Sequence, residues 1–177
     1  MIDRICISIN NRCNLSCKYC HFREKGMIAS SEMDILSILD HVKAYAKSAF
    51  KIGFVGNGEP LLDWPLLKSC IAYIEDSPFI TAYTITNGTI HLPDSEIRFL
   101  EDHAVNVGFS IDGHKELHNL YRCGSFDQAI SSVEQFKRVT GHYPTFNATV
   151  GGESLKTADK VIGFFAAFGT RVTFSRM

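Results

Sequence analysis

Hydrophobic positions along this chain follow two periods in turn. Six short runs rich in β-branched and aromatic residues, at 4–9, 51–55, 80–86, 104–111, 145–150 and 171–175, predict strands. Between them the apolar residues recur at helical spacing. Ile35, Leu36, Leu39, Val42, Ala46 and Ala49 form one stripe, with Ser31 in position to cap it. Leu66, Leu67, Cys70, Ile71 and Ile74 form a second behind Asp63, with Pro65 tolerated in the first turn. A short helix opens at Asp94 or Ser95 and carries Ile97, Phe99 and Leu100. Ser125 and Gln128 make a capping-box pattern ahead of Ala129, Ile130, Val133 and Phe136. A fifth helix is expected over 155–168, ending at Gly169.

Strands alternating with helices, joined by connections long enough to cross back over the sheet, imply parallel pairing with right-handed crossovers. The fold class is therefore α/β, either open and doubly wound or curled into a partial barrel. In both cases ligand-binding loops belong at the carboxyl ends of the strands. That rule gathers the polar segments 10–27, 56–63, 87–92, 112–124 and 151–154 on one rim.

Composition narrows the function. The 177 residues are 45% hydrophobic, enough for one domain with a real core, and 18 basic residues against 19 acidic leave a formal charge of −1. With no net positive field, neither nucleic acid nor an anionic membrane is an expected partner. The longest apolar stretch, 161–168, is far short of the roughly 20 residues a membrane span needs, and the first residues lack the apolar run of a signal peptide. A cytoplasmic protein is the expectation, with its six cysteines reduced.

Three of those cysteines, Cys13, Cys17 and Cys20, fall in one polar segment as CxxxCxxC. Three thiolates on one short loop can wrap a compact metal centre, and a four-iron cluster held by three thiolates keeps one iron open to another ligand. A structural zinc completed by His21 or His41 is the competing reading. Cys6, in a strand, and Cys70, on a helical stripe, read as small core residues, and Cys123 as a loop thiol on the same rim.

The spacing, with aromatic Tyr19 before the last cysteine, resembles the radical S-adenosylmethionine (SAM) enzymes. The likeness continues in order along the chain. Gly56-Asn57-Gly58-Glu59-Pro60 resembles the family's GGEP segment, with Asn57 replacing its first glycine. Thr86-Asn87-Gly88 resembles its TNG turn, and Ser110-Ile111-Asp112-Gly113 its S-[IL]-D-G segment. His118-Asn119-Leu120-Tyr121-Arg122 matches HDxxR with Asn119 in place of Asp, and Gly124-Ser125-Phe126 stands where a GSF helix start is expected. This order is most similar to the anaerobic sulfatase-maturase and peptide-maturase branch. No cysteine follows Cys123, so the cysteine-rich extension of that branch is missing from 1–177.

The resemblance implies a partial (β/α)6 barrel binding one [4Fe–4S] cluster through Cys13, Cys17 and Cys20. It implies SAM contacts from Tyr19, Gly58, Glu59, Asn87, Ser110, Asp112 and Arg122. The implied reaction is reductive cleavage of SAM and hydrogen abstraction from a peptide or protein side chain, with flavodoxin or ferredoxin as electron donor. A small-molecule substrate (sugar or nucleoside) and a non-catalytic zinc or iron–sulfur module remain alternatives, as does a scaffold that binds SAM without cleaving it. Glu59 reads as a partner for an ammonium group or as a solvated loop carboxylate, Arg122 as a carboxylate clamp or a surface arginine. His21, His114, His118 and His142 are undifferentiated proton-transfer candidates. With the sixth strand at the end of the sequence, its outer side is expected to be partly uncovered, to be closed by a partner or a further segment.

Overall fold

The computed structural model describes residues 2–21 and 32–177. The expected cap at Ser31 lies outside them. Six strands, β1 (Arg4–Ile7), β2 (Phe50–Phe54), β3 (Ile80–Thr86), β4 (Asn106–Ser110), β5 (Thr145–Val150) and β6 (Val172–Arg176), pair in sequence order, every pair parallel. The sheet curls into a half-barrel whose open side lies between β1 and β6.

Seven helices connect the strands among the described residues: α1 (Glu32–Tyr45), α2 (Trp64–Tyr73), α3 (Asp94–Asp102), α4 (Lys115–Tyr121), α5 (Phe126–Thr140), α6 (Glu153–Lys156) and α7 (Ala158–Ala166). The core is the layer between them and the convex side of the sheet. Ile7, Ile52, Phe54, Val107, Phe109 and Phe146 point outward from the strands and meet Ile35, Leu39, Leu67, Ile71, Val133 and Phe165 from the helices, all buried. Because side chains alternate along a strand, the residues between them face the concave interior. Register partners there include Arg4 with Lys51, Lys51 with Thr81, Tyr83 with Asn106 and Asn147 with Thr173. This interior is polar, unlike the packed apolar centre of a closed barrel.

Several local expectations change. The stripe from Ile35 stops being helical at Tyr45, although Ala46 is still buried, because the chain must turn into β2. The helix expected over 155–168 is broken at Thr157 into α6 and α7. α4 occupies a stretch read as polar loop, since its single turn of buried residues, Leu117 and His118, is too short to show a period. Ser125 does not cap α5. Its hydroxyl donates to the Arg122 carbonyl instead, while Asn119 Oδ1 accepts from the Phe126 amide. Cys70 is buried as expected, but Cys6 is exposed on the concave face, its Sγ 3.3 Å from the Tyr83 hydroxyl. The outer side of β6 is open among the described residues, with Phe174 49% exposed. No described helix is long and apolar enough to cross a membrane.

Candidate functional site

Above the carboxyl rim the described part of the cysteine segment meets the segments after β2, β3 and β4, and the last of these meets 151–154. The cysteine loop leaves β1 and is held at its base by the segment after β2. The Glu59 amide donates to the Arg12 carbonyl at 2.7 Å, Asn10 Nδ2 donates to the Glu59 carbonyl at 3.2 Å, and the Arg12 amide donates to Asn10 Oδ1. Gly58 lies against this seam. A Cβ there would stand 2.5 Å from both the Arg12 carbonyl oxygen and Asn10 Oδ1, so only glycine lets the two loops close. The far end of the loop is tied to α4 by a bond from the Lys18 amide to the Tyr121 carbonyl.

None of the three clustered cysteines is in a disulfide, and Cys13 is exposed, Cys20 intermediate and Cys17 buried. Cys13 Sγ accepts from the Leu15 amide at 3.5 Å and from Asn87 Nδ2 at 3.8 Å. Burial pushes the Cys17 thiol up to about 11 against the pull of Arg122, and burial also raises Cys13. These groups are thiols at neutral pH in the metal-free chain, so loading a metal must expel their protons.

Glu59 is 2% exposed, so it is not a solvated loop carboxylate. Its carboxylate accepts from the Thr86 hydroxyl (2.8 Å), the Asn87 amide (2.7 Å) and the Leu61 amide (3.1 Å). It thus stitches the end of β2 to the end of β3. Burial raises its pKa while these donors hold it down. Asn87, pinned by that contact, turns its side-chain amide to Cys13 and to Asn14 Oδ1 (2.9 Å), and its Oδ1 accepts from Thr89.

A second buried constellation follows β4. Asp112, fully buried, accepts from the Tyr19 hydroxyl (2.7 Å), Arg122 Nε (2.8 Å) and the Thr149 amide (3.0 Å). It joins the cysteine loop, the end of α4 and β5. Arg122 is only 8% exposed, and its guanidinium lies 5.4 Å from the Tyr19 ring centre. Its terminal nitrogens bond to no described residue, which leaves a positive two-donor fork for a ligand carboxylate. Burial, then the neighbouring Arg122 charge, lowers His118 to about 4, so it sits neutral between the Asp112 amide and the Ser125 hydroxyl. Ser110, half-buried at the end of β4, forms no side-chain hydrogen bond to described residues.

The other histidines separate. His142 pairs with Glu101 at the opposite end of the sheet, which removes it as a candidate for the rim. His114 pairs with Glu116. His21 is exposed, and His41 lies on α1 bonded to the Ser37 carbonyl. Among the described residues no three His, Cys, Asp or Glu side chains converge as a preformed metal site. The Asn87 contact to Cys13 and the Glu59 stitch escaped sequence reasoning, because both depend on which way a loop side chain turns.

A profile of the radical SAM superfamily matches residues 7–165. The chain belongs to that superfamily. Among curated relatives this radical SAM chain is 30% identical over 140 residues to GTP 3′,8-cyclase of Clostridium perfringens, covering 76% of this chain and 42% of the relative. It is 26% identical over 176 residues to the cysteine-type anaerobic sulfatase-maturating enzyme of Clostridium novyi, covering 88% of this chain and 46% of the relative. The chain thus spans less than half the length of these relatives. Among solved structures, native anSMEcpe with bound AdoMet and the Cp18Cys peptide superposes with a TM-score of 0.82 at 25% identity, over 98% of this chain and 50% of that one. Radical SAM proteins use a [4Fe–4S] cluster and SAM. The donor set fits that group: three unbridged thiols on one loop, beside an arginine fork whose nitrogens have no protein partner.

Proposed function

We propose that this chain is the catalytic core of a radical SAM enzyme that abstracts a hydrogen atom from a peptide or protein side chain. The observation that carries the reading is the buried Tyr19–Asp112–Arg122 set, which brings a free guanidinium fork to the loop holding three cysteines. Cys13, Cys17 and Cys20 would hold the cluster. Arg122 would take the SAM carboxylate, Gly58 would present backbone to the amino group, and Ser110 and Tyr19 would line the nucleoside side. When bound, the cluster supplies the electron that cleaves SAM into methionine and a 5′-deoxyadenosyl radical. Glu59 and Asp112 act by position, holding three strand ends in one register. Asn87 donates toward Cys13 and polarises its sulfur. Flavodoxin or ferredoxin would deliver the electron, in the cytoplasm, and residues 1–177 form one domain whose open β6 edge a partner or further segment covers.

The similarity to the sulfatase-maturating enzyme and to a peptide-bound structure supports a peptide substrate. The similarity to a GTP cyclase favours a small nucleotide as the second reading. Anaerobic reconstitution followed by reductant and SAM tests the core claim. We expect iron and sulfide in the protein and 5′-deoxyadenosine above a Cys17→Ala control; zinc without sulfide, or no 5′-deoxyadenosine, refutes it.

A further inference from the structure

The concave interior beneath the rim contains a cavity of about 590 Å³ that no part of the proposed cofactor site uses. Its lining is mixed, with Thr81, Tyr83, Asn106 and Asn147 among the polar side chains and Ala82, Ile85 and Ala104 among the apolar residues. Arg4, Lys51 and Arg171 also line it. Arg4 and Lys51 are register partners on β1 and β2, and Arg171 immediately precedes β6 on the far side of the opening. None of the three makes an ion pair or side-chain hydrogen bond to a described residue, and no carboxylate lines the cavity. Three unneutralised cations around one hollow create a local positive potential in a chain whose net charge is −1.

We infer that this cavity binds an acidic stretch of the substrate, so that the enzyme acts on a peptide carrying Asp or Glu a few residues away from the reacting one. The inference rests on the peptide reading above and deepens it. The cations are dispersed across β1, β2 and β6 rather than focused on one point, which suits carboxylates spread along a chain better than a compact phosphate. From Asn106 at the floor to Ser110 at the rim is four strand residues, roughly 13 Å at about 3.3 Å per residue. An extended substrate therefore places its acidic residues about four positions from the carbon that loses hydrogen.

The test is fluorescence anisotropy at low salt with the reconstituted full chain and two rhodamine-labelled nine-residue peptides, one with three glutamates and one with glutamines in their place. The glutamate peptide should bind at least about tenfold tighter, and Arg4→Gln/Lys51→Gln/Arg171→Gln should abolish the difference, whereas Lys115→Gln/Lys160→Gln on the outer surface should preserve it. Equal binding of the two peptides overturns the inference, as does equal loss in both variants, and so does displacement by GTP at lower concentration than by unlabelled glutamate peptide. SAM cleavage by the wild-type protein is assayed in parallel. Absent 5′-deoxyadenosine with retained glutamate selectivity refutes the radical reading and leaves the acidic site standing.

Discussion

Asp112 is the residue whose removal the structure judges most severely. It is fully buried, its carboxylate accepts three hydrogen bonds, and it is the counter-charge of Arg122, itself 8% exposed. Asp112→Asn keeps the shape but turns a donor amide toward groups that already donate, and it leaves a buried guanidinium unneutralised. Breaking a buried ion pair by removing one partner costs about 3–5 kcal/mol. The lower end applies, since an asparagine oxygen still serves one or two of the donors. A loss of about 3 kcal/mol in a domain of this size lowers Tm by roughly 6–12 °C. The assay is urea unfolding of the metal-free protein under anaerobic reducing conditions, followed by circular dichroism. Tyr19→Phe, which deletes one hydroxyl donor, should cost only about 1 kcal/mol. Asp112→Asn combined with Arg122→Met should cost less than the sum of the single changes, because the second removes the stranded charge. An Asp112→Asn protein within about 0.5 kcal/mol of wild type, or strict additivity in the double variant, would refute this account of the site.

Four further outcomes are expected. Glu59→Gln should destabilise the chain by about 1–3 kcal/mol in the same unfolding assay, because its amide would face the Asn87 N–H, which needs an acceptor. Gly58→Ala should lower the iron bound per chain after reconstitution, measured against wild type, since the added Cβ forces the Asn10–Arg12 base of the cysteine loop aside. Asn87→Leu removes the donor to Cys13 and should make the cluster midpoint potential more negative in an EPR-monitored titration; an unchanged potential would show that the contact does not tune the sulfur. His118 has a folded pKa of about 4 against 6.5 when unfolded, so the unfolded chain binds more protons between those values. Its stabilisation is complete well above pH 6.5 and is lost as pH falls toward 4, amounting to about 1.6 kcal/mol between pH 6.5 and 5. Unfolding curves of wild type and His118→Gln at both pH values should show this dependence only in wild type.

The order of elements and the loops that carry chemistry follow from local pattern alone. Strand periodicity, parallel crossovers and the rim rule assign Cys13, Glu59, Asn87 and Asp112 to one end of a sheet before any contact is known. They do so because side-chain alternation and chain direction are properties of consecutive residues. What pattern does not contain is the direction in which a loop side chain turns, and there tertiary packing decided. Glu59 and Asp112 look alike as acids after strands, yet each accepts from three donors, those of Asp112 from three other segments and two of Glu59's from the end of β3, because a carboxylate buried at a junction is stable only when such donors surround it. Asn87 faces a cysteine because its backbone amide is claimed by Glu59. Ser125 fails as a cap because His118 and the Arg122 carbonyl occupy its hydroxyl. The polar, cationic interior is likewise a product of curvature: Arg4, Lys51 and Arg171 are far apart in sequence and share a cavity only because the sheet curls and stays open.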